Sequence, residues 1–201
     1  MGEKLVFQPL TRAEKISVVL YRSGIVMSTA IIAGLSYLLM TVSENSDTAG
    51  ISSSGDVLAY ALYASVGMSV FFIHLYISRI KRYLKNLFFI SLGCLAALLY
   101  LGQGSVSNAL VHTLYSPLLL LPVVGCLSFV TAKEAFCFKL FEGYLLAMIM
   151  PLYLLLVATR GLAGQGVSYG LALIAVMLAI FTLRKVFMPI AYDIGDKSAY
   201  Q

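Results

Sequence analysis

Thr131-Ala-Lys-Glu-Ala-Phe-Cys-Phe-Lys-Leu-Phe-Glu-Gly-Tyr144 is a compact polar interruption between two strongly apolar segments. Two lysines, two glutamates, a cysteine and three phenylalanines fall within it. On either side, from Gly24 to Thr182, the chain consists mostly of hydrophobic runs separated by loops. Hydrophobic residues make up 60% of the 201 and charged residues only 11%, against roughly 25% charged in an ordinary soluble domain. Mean hydropathy is +0.92. This composition excludes a water-soluble domain and predicts an all-α polytopic membrane protein.

A spanning helix needs about 20 mainly apolar residues. The runs that approach this length are 21–42, 57–78, 86–101, 110–132, 144–159 and 167–183, giving six transmembrane helices in a single integral domain, residues 1–201. A polar N-terminal segment, 1–15, precedes them and a tail, 184–201, follows. No small-residue cleavage site follows an early apolar core, so the first span reads as a permanent anchor.

The basic residues fix an orientation. Lys4, Arg12, Lys15 and Arg22 precede or open the first span, and Arg79, Lys81, Arg82 and Lys85 sit in the second connection. Lys133 and Lys139 lie in the fourth connection, and Arg184, Lys185 and Lys197 in the tail; only Arg160 falls on the other side, with Glu44, Asp47 and Asp56. Because basic residues in short loops stay on the cytoplasmic side, both termini are expected there. The chain has no Trp, so tyrosines must supply the interfacial belts: Tyr21, Tyr76, Tyr83 and Tyr144 inside, Tyr60, Tyr100, Tyr115 and Tyr169 outside.

Small residues recur four apart at Ala30 and Gly34, at Ala61, Ser65 and Ser69, and at Gly93 and Ala97, a spacing that lets helices approach closely in lipid. Pro117 and Pro122 in the fourth span and Pro151 in the fifth are expected to bend their helices. Gly102-Gln103-Gly104 and Gly164-Gln165-Gly166 hint at tandem hairpins, although Gly is common in any turn. Cys94, Cys126 and Cys137 are odd in number and lack CxxC spacing, which argues against a disulfide framework.

The chemistry-bearing groups are few. No Asp, Glu, Lys or Arg falls at the middle of a span, which weighs against a pump built on buried carboxylates. His74, in Phe-Phe-Ile-His-Leu-Tyr-Ile, is the lone histidine within a span; it suits either an interhelical hydrogen bond or ligation of a metal, haem or pigment. His112 is expected in an outer loop, facing water. Arg22 can snorkel to headgroups, bind a lipid phosphate or pair with a carboxylate such as Glu134. In Lys133-Glu134-Ala135-Phe136-Cys137-Phe138, a helix would put Lys133 and Cys137 on one face, whereas an extended turn would aim Phe136 and Phe138 together into the interface. No phosphate-binding loop, zinc-protease helix, nucleophile elbow or dinucleotide fingerprint occurs.

The stretches VVLYRSG (Val18–Gly24), GMSVFFIHLYI (Gly67–Ile77), KEAFCF (Lys133–Phe138) and DIGDKS (Asp193–Ser198) carry a resemblance. The chain resembles the uncharacterised integral membrane proteins of cyanobacteria and chloroplasts. That resemblance implies a photosynthetic lineage, in a plasma or thylakoid membrane, and implies no activity or cofactor.

All four stretches fall at or near the expected inner face. A site or docking surface is therefore expected there, formed by Arg22, His74, Lys133, Glu134, Cys137 and Asp196. Three functions fit: a non-enzymatic docking or assembly factor for other membrane complexes, a channel or carrier for a small neutral solute, or a membrane enzyme or cofactor carrier using His74 and Cys137. No metal site and no nucleic-acid partner are expected; the lipid bilayer is.

Overall fold

A computed structural model describes residues 10–42 and 48–194. It is all-α, 85% helical and without strands among the described residues. The long helices are α1 (Arg12–Val42), α2 (Thr48–Phe72), α3 (Ser78–Leu101), α5 (Leu121–Phe138), α6 (Phe141–Ala158) and α7 (Gln165–Val186). A short α4 (Val106–His112) and a 3₁₀ turn (Ser116–Leu120) lie between α3 and α5, and α8 (Ala191–Ile194) follows α7. Among the described residues, six helical stretches are long and apolar enough to cross a membrane, in agreement with the six expected runs.

Their boundaries differ from those read off hydropathy, for identifiable reasons. Helix α1 starts at Arg12, nine residues before the apolar run. Thr11 and Glu14 form a capping box: Glu14 Oε2 accepts from the Thr11 amide at 2.8 Å, and Thr11 Oγ1 accepts from the Glu14 amide at 3.3 Å. This reciprocal pair satisfies donors that a helix start otherwise leaves open. The helix has 31 residues, roughly 46 Å at the α-helical rise, against about 30 Å of hydrocarbon. It is therefore longer than the hydrocarbon it has to cross, and Ser17 in its second turn meets His74 on the α2–α3 connection.

The fourth span is displaced toward the C-terminus, to Ser116–Phe138. Leu110–His112 belongs to α4, which Ser105 caps by accepting from the Asn108 amide at 3.1 Å. His112 at its end is exposed, as expected. Pro117 lies in the first turn of the 3₁₀ segment and Pro122 in the first turn of α5, where a missing N–H costs nothing. These two prolines start the span instead of bending it; Pro151 lies inside α6. Thr131–Phe138 continues α5, so the expected polar loop is helix. The connection itself is Lys139-Leu140, with Lys139 in the left-handed region at φ 54° and its amide donating to the Ala135 carbonyl.

The helices close into a ring in which α1 packs on α2 and α7, α7 on α6, α6 on α5, α5 on α3, and α2 on α3 and α5. Val123, Leu127, Val130, Leu146, Met150, Leu178 and Phe181 fill its middle. The close α1–α2 contact depends on small residues. A Cβ at Gly24 would lie 2.7 Å from the Ser65 carbonyl and 2.8 Å from the Ser69 amide, and Ser28 Oγ sits 2.8 Å from Ser65 Oγ. Ser65 and Ser69 from the small-residue pattern thus lie at the contact, whereas Ala30 and Gly93 face outward. The two glycine-rich turns serve different ends: Gly102 follows α3 as its C-cap and Gly164 precedes α7 as its N-cap.

Candidate functional site

One end of the bundle collects the start of α1, the α2–α3 connection, the α5–α6 turn and α8. Of the expected belt tyrosines, Tyr76, Tyr83, Tyr144, Tyr60, Tyr100, Tyr115 and Tyr169 are exposed. Tyr21 is the exception, fully buried beneath this end. Its hydroxyl donates to Glu134 Oε1 at 2.6 Å, so it belongs to the interior polar network and not to an interfacial belt.

Around that bond runs an alternating chain of charges. Lys133 Nζ donates to the same Glu134 oxygen at 2.7 Å. Lys185, near the end of α7, bridges Glu134 Oε2 and Asp193 Oδ1. Asp193, on α8, accepts through its other oxygen from Arg22 Nε at 2.6 Å. Glu134 and Lys185 are 0% exposed and Asp193 5%. Burying single charges this way is prohibitive; burying them in mutual contact, with hydrogen bonds to the remaining atoms, is tolerated.

Arg22 also terminates α7. Nη1 donates to the Val186 carbonyl at 3.1 Å and the Met188 carbonyl at 2.6 Å, and Nη2 to the Pro189 carbonyl at 3.2 Å. These are carbonyls that the helix end leaves open, and a cation there meets the negative pole of the helix dipole. The Lys185 ammonium lies 3.8 Å from the Phe138 ring centroid, within cation–π range. Outside the buried chain, Arg184 pairs with Glu142 and links α7 to the start of α6.

His74 stands beside this network on the α2–α3 connection. Its Nε2 is 3.1 Å from Ser17 Oγ. Because Ser17 spends its hydroxyl proton on the Glu14 carbonyl at 2.9 Å, the imidazole must donate from Nε2, an assignment made from the bonding pattern. Nδ1 is then a bare acceptor, buried and without a partner among the described residues. Burial, followed by the fields of Lys81 and Lys133, holds the His74 pKa below its ordinary 6.5, with Asp193 and Glu14 opposing.

The sequence-derived set is thus partly assembled. Arg22, Lys133 and Glu134 join one network, and His74 flanks it. Arg22 pairs with a carboxylate, one of the roles open to it, and that carboxylate is Asp193 and not Glu134. Cys137 is exposed on α5 and is a free thiol, as are Cys94 and Cys126. Asp196 lies outside the described residues. Tyr21, Lys185 and Asp193 complete the network unannounced by spacing, because each sits at the margin of a span or in the tail. Signals were present all the same: Tyr21 adjoins Arg22, and Asp193 opens the DIGDKS stretch. Among the described residues no three His, Cys, Asp or Glu side chains converge on a metal-sized site.

At the other end, a cleft of about 410 Å³ opens between the α4 region and the α6–α7 turn, lined by His112, Pro117, Arg160 and apolar neighbours. Of Pro117, Pro122 and Pro151, only Pro117 borders this cleft.

Six membrane-length apolar helices among the described residues, closed at one end by buried ion pairs, define a multi-pass integral membrane protein. The chain belongs to the family described as "Uncharacterized integral membrane protein (DUF2301)", whose model matches residues 68–201. The matched region holds His74, Lys133, Glu134, Lys185 and Asp193, while Tyr21 and Arg22 precede it. No curated protein and no solved structure matches the chain.

Proposed function

We propose that this protein is a non-enzymatic docking or assembly factor for other membrane complexes, acting through the face that carries the ionic network. With both termini cytoplasmic, as the basic residues argue, that face looks into the cytoplasm or its organellar equivalent. The resemblance to photosynthetic lineages makes a plasma or thylakoid membrane its setting.

The observation that carries this reading is a division of labour at one end of the bundle. The charged groups of the network are engaged with one another and with the carbonyls after α7, so they hold helices together and offer no free base or nucleophile. Around them, Phe136 is 79% exposed and Phe187 84%. Phenylalanine is among the aromatic residues enriched at protein interfaces. An inner-face surface needs no mid-membrane charge, and the filled bundle middle gives no support to a carrier.

A photo-crosslinking residue introduced at Phe136 or Phe187, in native membranes, tests this. Discrete protein adducts are expected at both positions and none at Tyr100, an equally exposed tyrosine at the opposite end. Adducts with lipid alone at Phe136 and Phe187, or equal protein capture at Tyr100, would overturn the proposal.

A further inference from the structure

On the flank of the bundle, α1 and the end of α7 enclose a groove of about 440 Å³ lined by Val19, Arg22, Ser23, Val26, Met27, Val186 and Ile190. Five of these seven residues are apolar and exposed; the two polar ones are neighbours on α1, Arg22 buried and Ser23 half-buried. Neither polar residue is saturated. A guanidinium has five N–H donors, and Arg22 spends four of them, on Asp193 and on the carbonyls of Val186, Met188 and Pro189. The fifth, on Nη2, remains. The Ser23 hydroxyl has no hydrogen-bond partner among the described residues.

Charge and direction both select the occupant. Arg22, Lys133 and Lys185 face two carboxylates, Glu134 and Asp193, so the network beneath the groove keeps one positive charge in excess. Helices α1 and α7 run antiparallel, as the Thr29–Thr182 contact at 2.7 Å beside the Arg22–Val186 bond shows. The polar pair therefore lies at the network end, and Val26 and Met27 lie one turn deeper toward the bundle middle. An occupant must be anionic at one end, apolar along its length, and able to enter from the side.

We infer that this groove is a binding site for one anionic glycerolipid. Its phosphate accepts from the spare Arg22 N–H and from Ser23, and one acyl chain lies along Val26 and Met27. A charge-assisted bond to guanidinium is among the strongest available to a phosphate, and here it acts next to apolar surface. The site is independent of the docking proposal, because it lies on the flank between α1 and α7 and uses neither Phe136 nor Phe187.

The test is native mass spectrometry of the purified, detergent-solubilised protein with phosphatidylglycerol or phosphatidylcholine of identical acyl chains. One phosphatidylglycerol should be retained per chain, with roughly tenfold preference over phosphatidylcholine, whose phosphate is the same but whose choline cation is repelled by the excess positive charge of the network. Val26→Trp and Met27→Trp fill the groove without touching the network and should abolish that preference. Equal retention of the two lipids by the unaltered protein would overturn the inference whether or not the variants fold. So would displacement of phosphatidylglycerol by millimolar inorganic phosphate, which would mark a simple anion site, or retention unchanged in folded Val26→Trp.

Discussion

Arg22 Nε donates to Asp193 Oδ2 at 2.6 Å across 171 residues of sequence. The pair joins the first membrane helix to the short helix that follows the last one. Asp193 also contacts Lys185, so the bond continues through Glu134 to Lys133 and Tyr21. Four separate helices are thereby held at one end by charged side chains that pair with one another.

Lys185 serves two carboxylates at once, and its loss should be felt by both. Lys185→Met leaves Glu134 and Asp193 without their shared cation in an enclosed site. Breaking a buried pair in this way costs about 3–5 kcal/mol. Unfolding of the micellar protein, followed by circular dichroism, should show a loss of that order. Limited proteolysis should then cut near α8 before it cuts elsewhere.

Tyr21 contributes one hydrogen bond to a carboxylate that keeps its lysine partners. Tyr21→Phe should therefore cost about 1.5–3 kcal/mol, the range for a bond to a charged group. A change near zero in the same unfolding assay would show that the Tyr21 hydroxyl does not donate to Glu134.

His74 predicts an acid-sensitive step. Its folded pKa lies below the ordinary 6.5, so the unfolded chain binds the proton more readily. The neutral imidazole's contribution is complete above 6.5 and is lost as pH falls through the lower folded value. The melting temperature should decline on acidification below about pH 6.5, the unperturbed histidine value. His74→Gln keeps a donor for Ser17 but cannot take up the proton, so its decline should be shallower. Identical slopes for the two proteins would exclude His74 as the source.

Two glycines make opposite predictions. At Gly24 an added methyl would meet the backbone of α2 at 2.7–2.8 Å, where relief requires the helices to separate. At Gly93 no atom lies within 4 Å. Gly24→Ala should destabilise, whereas Gly93→Ala should be neutral or stabilising by up to about 1 kcal/mol from helix propensity. Comparing the two melting temperatures checks the α1–α2 contact directly.

Cys137 is exposed and Cys126 fully buried. A membrane-impermeant maleimide should label Cys137 when applied to the cytoplasmic side of sealed vesicles, and not from the opposite side. Labelling from the opposite side alone would reverse the orientation argued from the basic residues.

Much of the architecture was legible because burial in lipid makes long apolar runs unavoidable. What hydropathy could not convey was where helices continue through polar residues. Arg12–Leu20 is helical because Thr11 and Glu14 cap it, and Lys133–Phe138 because Lys133 and Glu134 satisfy each other inside the bundle. Likewise, Pro117 and Pro122 looked like kinks until their places at the start of a helix were known. The site was half legible for a related reason. Arg22, Lys133 and Glu134 stood out as charges beside apolar runs, yet the partner of Arg22 lies 171 residues away, and spacing along a chain cannot choose between Glu134 and Asp193.

The most direct test of the ionic closure is a double-mutant cycle on Arg22→Met and Asp193→Leu, read by reversible unfolding in micelles. Each single variant strands a buried charge, and the double variant removes both. Coupling of about 2 kcal/mol or more is predicted, with the double variant more stable than either single one. Additivity within about 0.5 kcal/mol would mean that the two residues do not meet, and would contradict the closure of the bundle described above.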